Sequence, residues 1–315
     1  MAEMTEIFDM HVHLCRDTQQ EKLVFPREGW PDDWYKGSPD RVIPYMDANG
    51  ISYMATMNVM NTNSMMESRI RRARAQGATD EDVERARVDL RDDMRERMRQ
   101  MNDWSLAAQA KEPRIIVYVA IDPVLFGETL GLEELERCVK LGARGIKVHP
   151  SNYQHYPDHP AMMAILKRCE ELGLGVLTDS SSRPSLDGGH YGGPLGWRPV
   201  LKALPNLKFI MAHLCDDMWD DRLDLAREFS DNLWFDFSQG LVDDHHPARG
   251  HICMPTTQAE RVFRKVGIER IMFASDGTPH PDGLFGAHQI MALPFTDGEK
   301  EALLAGNAKR FFGVK

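Results

Sequence analysis

The feature that most constrains this chain is a repeated alternation of strand and helix signals. Short β-branched or apolar runs stand at 7–14, 51–60, 114–121, 143–148, 175–179, 207–213, 233–237 and 270–275. Between them lie stretches with helical spacing, among them DRVIPYMDAN, LEELERCVKLG, PAMMAILKRCEELG, GWRPVLKALP, MWDDRLDLAREF and QAERVFRKVG. Many stop at Gly, Asn or Pro, where a helix is expected to end. Eight strand-helix repeats imply parallel strands joined by right-handed crossovers, and eight is the number that closes a barrel. An open doubly wound sheet is the alternative, but its usual sign, GxGxxG after the first strand, is missing. The expectation is an α/β fold, a (β/α)8 TIM barrel, with residues 1–315 forming a single domain.

One segment exceeds what a barrel needs. Residues 64–111 read as a helical insertion after strand two, built of two helices, the second starting after a Thr79/Asp80 cap with Glu81 and Asp82 in its first turn. Its dense opposite charges at helical spacing read as a solvated face laced with ion pairs; a lid or a subunit contact is the other reading. The loop at 16–39 is also long and carries Trp30, Trp34 and Tyr35. Loops at that end of a barrel cover the active site.

Composition narrows the partners. With 315 residues, 42% hydrophobic and 27% charged, the chain is of ordinary soluble globular type. A formal net charge of -10 argues against a nucleic-acid surface, which needs basic residues to replace counterions. No apolar run is long enough to span a bilayer and MAEMTE lacks the pattern of a signal peptide, so a cytoplasmic location away from membranes is expected. Five cysteines (Cys15, Cys138, Cys169, Cys215, Cys253) without a CxxC suggest reduced thiols rather than disulfides or a cysteine zinc site. A small-molecule substrate fits best.

The chemistry is concentrated at the ends of the strands. In IFDMHVHL, alternation puts Asp9, His11 and His13 on one face and Phe8, Met10, Val12 and Leu14 on the other. ARGIKVHP puts Lys147 and His149 on the face opposite Ile146 and Val148. LGVLTDSS ends in Thr178 and Asp179, LKFIMAHLCDD in His213 with Asp216 and Asp217 beyond, and IMFASDGTP in Asp276; LWFDFSQG carries Asp236 and Ser238 on one face. A lone His or Asp at a strand end is ordinarily a hydrogen-bonded or turn residue. Several strands offering imidazoles and carboxylates to one rim match what Zn, Fe or Mn requires.

With these residues in view, the chain resembles the amidohydrolase superfamily of metal-dependent barrels. It is most similar to the amidohydrolase-related branch (amidohydrolase 2) that holds aminocarboxymuconate-semialdehyde and resorcylate-type decarboxylases beside many hydrolases. FDMHVH, MDANGI, GIKVHPSNYQHYPDHP, LKFIMAHL, RIMFASDGTP and AGNAKRFFG carry the resemblance over nearly the whole chain. It implies that His11 and His13 are metal ligands, that Asp276 is a ligand or a proton-transferring carboxylate, and that His213 is a ligand or a base. The departure is on strand five, where the family has a histidine ligand and this chain aligns Asp179. An anionic oxygen there favours Mn or Fe relative to an imidazole-rich zinc site. His149 is a spare imidazole that could replace the missing donor. Lys147 stands where dinuclear members carry a carboxylated lysine. The cofactor expected is a divalent metal ion, Zn, Mn or Fe, with one or two per chain.

The resulting expectation is metal-assisted chemistry on a small, carboxylate-bearing molecule: hydrolysis of an amide, ester or lactone, or decarboxylation. Arg16 and Arg183 are placed to hold a substrate carboxylate. Two alternatives stand beside it, a dinuclear Fe or Mn/Fe oxygenase and a non-catalytic metal-binding subunit supporting an active, related chain. A homo-oligomer, or a hetero-oligomer with such a chain, is expected. Specificity is assigned to loops 25–39, 187–197 and 243–255, the last with His245, His246 and His251.

Overall fold

Every one of these runs becomes a strand in the computed structural model, and all but the fourth stop short of the end of the run. The structure describes residues 6–181, 184–215, 218–238, 254–279 and 283–315. The strands are β1 (Ile7–Val12), β2 (Ile51–Met57), β3 (Ile115–Ala120), β4 (Gly145–Val148), β5 (Gly175–Thr178), β6 (Lys208–Met211), β7 (Leu233–Asp236) and β8 (Ile271–Met272). They lie in the order β1 to β8, every neighbouring pair parallel. Bonds from Met10 N to Phe273 O (3.1 Å), Asp276 N to His11 O (2.8 Å) and His13 N to Gly277 O (2.7 Å) join the first strand to the segment after the last. With helices in the connections, this is the (β/α)8 TIM barrel.

Two apolar layers hold it. One gathers Phe8, Met10, Met57, Tyr118, Leu177, Ile210 and Met272 from around the barrel and is closed by Phe311 and Phe312 of the last helix, Asn307–Phe312. The other sets Ile7, Val117, Ile146, Val176, Phe209 and Phe235 against Leu135, Ile165, Leu201 and Phe263 of the surrounding helices. Glycine is required at 175, where a Cβ would lie 1.8 Å from Tyr118 Oη.

On β1 the simple alternation is corrected. Its register with β2 shifts between Asp9 and Val12, the mark of a bulge. The apolar set therefore divides: Phe8 and Met10 join the layer closed by the last helix, whereas Val12 and Leu14 join the helix-facing layer. Asp9 does not stand in a row with the histidines; its Oδ1 accepts from Ser275 N at 3.0 Å and so ties β1 to the end of β8.

The extra helices span Thr62–Ala75 and Asp80–Lys111, the second opened by a capping box between Thr79 and Asp82. Their charges pair along the helix, as in Arg85 with Glu81 and Arg97 with Asp93, and between helices, as in Arg87 with Glu67 and Arg69 with Asp93. Such exposed pairs stabilise little. What docks the hairpin is apolar: Met66, Met94 and Met98 pack on Ala120, Leu125 and Phe126. Asn102 adds a polar clasp, donating to Ala120 O and accepting from Ala120 N, both at 3.0 Å. Among the described residues no helix is long and apolar enough to cross a membrane.

Asp122 joins the hairpin to the barrel and has a pH signature. It caps helix Pro123–Lys140 by accepting from Val124 N and Leu125 N, and accepts from Thr62 Oγ1 at 2.7 Å. Burial pushes its carboxyl up to about 6, against the opposing pull of Thr62 and the two backbone N–H groups. A carboxyl raised on folding stabilises fully below its unfolded value and loses that contribution as pH rises through about 6. Asp122→Asn retains a capping oxygen and cannot ionise. Urea unfolding is expected to show the wild type losing on the order of 2–3 kcal/mol relative to Asp122→Asn between pH 4 and pH 7.5. A constant difference between the two proteins would refute this.

Candidate metal centre

The polar side chains that follow the strands converge on the carboxyl rim of the barrel. His11, His13 and Asp276 each offer one donor atom, and these atoms lie within 4.8 Å of one another. Asp276 Oδ1 is 3.0 Å from His13 Nε2 and 3.3 Å from His11 Nε2. The outer nitrogens are occupied: His11 Nδ1 meets Asp236 Oδ2 at 2.9 Å and His13 Nδ1 meets Met57 O at 2.7 Å. Each contact places a proton on Nδ1 and turns Nε2 toward the shared point. Burial, with Lys147 adding to it, lowers the His11 pKa to about 4, so its imidazole is neutral. Burial would raise the Asp276 carboxyl, but His11, His13 and His213 hold it well below the usual range. Two imidazoles and one carboxylate, oriented by outer partners, fit a divalent cation.

A second group stands beside the first. His213 Nδ1 lies 2.8 Å from Ser238 Oγ, its Nε2 is 3.4 Å from Asp179 Oδ2, and its Nδ1 is 4.0 Å from Asp276 Oδ2. His149 Nε2 is 3.7 Å from the same Asp179 oxygen. Burial disfavours charge on His213, but Asp179, Asp276 and Asp236 outweigh it and raise its pKa. Asp179 is opposed by burial and held ionised by His149, His213 and Lys147. His213 (φ 64) and Asp276 (φ 48) both have left-handed backbones, at a cost of order 1–3 kcal/mol each. Asp276 N bonds to His11 O, and His213 N donates to Asp236 Oδ1 at 2.9 Å, which holds both in place.

The rim opens into two adjoining cavities of about 190 and 310 Å³, which share Asn61, His149, Asn152, Asp179 and Ser181. The smaller also touches His13, Lys147, His213 and Asp276. The family model described as Amidohydrolase matches residues 8–314. The chain belongs to the amidohydrolase family. This amidohydrolase is thereby an enzyme of hydrolase or lyase type. In shape it is similar to a 2,6-dihydroxybenzoate decarboxylase from Rhizobium (18% identity, TM-score 0.67, covering 98% of this chain and 99% of that one). It is similar as well to a 5-carboxyvanillate decarboxylase from Novosphingobium aromaticivorans with bound manganese (15%, TM-score 0.61, 99% and 98%). A third similar structure is described as a probable 2-pyrone-4,6-dicarboxylic acid hydrolase from Acinetobacter baumannii (15%, TM-score 0.59, 98% and 100%). No curated protein matches the chain.

The structure of this amidohydrolase brings together six of the residues singled out from sequence. His11, His13 and Asp276 form the three-donor group; Asp179, His213 and His149 adjoin it as an imidazole–carboxylate chain. Lys147 is buried, with Nζ 3.4 Å from His11 Nε2. Arg16 is exposed, its Nε paired with Asp17 at 3.1 Å, and it lines neither cavity. Arg183, Asp216, Asp217, His245, His246 and His251 lie outside the described residues. Phe25, from the long loop after β1, stacks on His13 with ring centres 5.9 Å apart. Sequence reasoning missed the position of Asp236, whose two oxygens serve His11 and His213 at once. Its signal was present in DFS, an aspartate ending a strand, though nothing in that stretch names its partners.

Proposed function

We propose that this amidohydrolase is a metal-dependent hydrolase that cleaves an ester, lactone or amide bond of a small molecule. The observation carrying this reading is one cavity lined by His13 and Asp276 of the three-donor group together with the His213–Asp179 pair. A divalent cation held by those donors supplies Lewis acidity, polarising a carbonyl and making water more acidic. Asp236 and Met57 O keep the two imidazoles turned toward the cavity. His213 carries a proton on the side of Asp179 and is positioned to pass it to a leaving group, with Asp179 stabilising the imidazolium. Water adds to the carbonyl and the departing oxygen or nitrogen takes the proton.

The acid side of the substrate remains open to a second reading, decarboxylation. Lys147 supports it, since it offers a cation inside the cavity to a substrate carboxylate, and the decarboxylases of similar shape are named for carboxylated aromatic molecules. Elemental analysis of protein purified without added metal, followed by chelation and reloading with Zn, Mn or Fe, tests both. One equivalent per chain is expected, with hydrolysis lost on chelation and restored on reloading. Carbon dioxide release without hydrolysis would replace the first reading with the second. Two equivalents with oxygen uptake would favour an oxygenase, and full activity of metal-free protein would end the metal-dependent reading.

A further inference from the structure

A buried polar network runs from the extra helical hairpin to the back of His13. The outer nitrogen of that ring, Nδ1, donates to Met57 O at 2.7 Å, at the end of β2. The ladder between β2 and β3 has its last pair at Met57 and Tyr118, and one further bond follows it, from Asn58 N to Tyr118 O at 2.9 Å. The peptide joining Met57 to Asn58 thus lies where the sheet stops, its carbonyl turned to His13 and its N–H to β3. A strand end with so few bonds opens easily unless something else fastens it. The Asn58 side chain does so: Nδ2 donates to Asn102 Oδ1 at 3.1 Å and to Ser105 Oγ at 2.8 Å, both on helix Asp80–Lys111. Asn102 grips the end of β3 in turn, through Ala120 N and Ala120 O, and its Nδ2 also reaches Glu134 Oε1 at 3.0 Å on helix Pro123–Lys140. Glu134 is itself held by Arg137, whose Nε lies 2.8 Å from Oε2. Asn58, Asn102, Ser105 and Glu134 are all buried.

Docking of the hairpin does not call for this network, since Met66, Met94 and Met98 already seat it on an apolar cluster. Buried hydrogen bonds differ from apolar contacts in fixing one arrangement, because any other leaves donors and acceptors unpaired. What is fixed here is the placement of the Met57 carbonyl. We propose that Asn58 is a positioning residue for His13: anchored by Asn102 and Ser105, it holds the carbonyl that turns His13 Nε2 toward Asp276, 3.0 Å away. The helix after β2 thereby braces the three-donor group from behind. The setting of the ring is a property of the metal-free protein; its effect on cation binding rests on the metal-dependent reading above.

The first measurement needs no cation. In metal-free protein carrying isotopically labelled histidine, the Nδ1–H proton of His13 is assigned by nuclear magnetic resonance from its loss in His13→Gln, and its exchange with solvent is followed. Slow exchange is expected in the wild type. Exchange at least tenfold faster is expected in Asn58→Ala and in Asn58→Leu, which keeps the volume of the side chain, and a smaller increase in Ser105→Ala, which removes one of the two anchors. Met94→Ala loosens the apolar docking instead. It is expected to lower the melting temperature at least as far as Asn58→Ala does while leaving the His13 proton as in the wild type. The second measurement is competition with a colorimetric chelator for Zn or Mn, with affinity expected to fall about tenfold in both Asn58 variants, the lower end of what losing an outer partner costs. A His13 proton unaltered in the Asn58 and Ser105 variants, or altered as much by Met94→Ala, overturns the proposal. A wild type with no protected proton on His13 Nδ1 overturns it too. Faster exchange with unaltered cation affinity retains the positioning role and overturns His13 as a ligand. A wild type that binds neither ion ends the metal-dependent reading, and the exchange rates then decide the positioning role by themselves.

Discussion

His11→Ala is expected to weaken divalent-cation binding by more than about 100-fold, beyond the 10–100-fold typical of losing an outer partner. The imidazole is fully buried and supplies one of three donors, so no solvent-exposed side chain can swing in to replace it. The barrel is expected to fold, because the closing bonds near His11 use its backbone oxygen and leave the side chain free to change. The cost is the loss of the imidazole contacts and of the bond to Asp236, on the order of 1–3 kcal/mol. Metal content after dialysis against buffered zinc or manganese, read beside the circular dichroism melt, decides it. A variant that keeps both its cation and its activity would show that His11 is no ligand.

Asp236→Asn carries the second large effect, and it acts through an orientation. The carboxylate accepts from His11 Nδ1, from His213 N and from Ser238 N. Burial works against its charge, but His11 and His213 hold it well below the usual carboxylate range. An asparagine can satisfy the two backbone groups with its oxygen and then presents an NH2 to His11 Nδ1. The proton on His11 must then move to Nε2, which removes the lone pair offered to the cation. A fall of about 10–100-fold in cation affinity is expected, with the fold kept. Asp236→Ala additionally strands buried N–H groups and should cost about 3 kcal/mol of stability. Competition with a colorimetric chelator measures the first effect, urea unfolding the second. Wild-type affinity in Asp236→Asn would reduce Asp236 to a structural role.

The barrel was legible because its signal is repeated. Each apolar run is short, but β-branched residues recur at intervals that only strand-helix units explain, and an error in one leaves seven others. His11, His13 and Asp276 were legible for a related reason, since each ends or follows a strand and barrel geometry gathers such positions. The bulge between Asp9 and Val12 was hidden, because an extra residue in a strand changes direction without changing composition. Asp179 was aligned to a ligand position by sequence; its imidazole contacts to His149 and His213 depend on three strands and could not be read from one. The same holds for Asn61, Asn63, Ser151 and Asn152, which line the larger cavity from the starts of two helices far apart in the chain. Arg16 follows the first strand as the sequence places it, and its exposed side chain pairs with Asp17, the cap of helix Thr18–Val24.

The seam where β1 meets the end of β8 has a consequence for the order of synthesis. His13 and Asp276 are 263 residues apart, and the bonds that close the ring are those that aim the donors. A chain still leaving the ribosome therefore holds two histidines for most of its production and no complete site. On the proposed reading, cation capture waits for Asp276, and a product truncated before it lacks one of the three donors. Under that reading, retention of the ion reports that the chain has been made as far as Asp276 and that this segment has closed against β1.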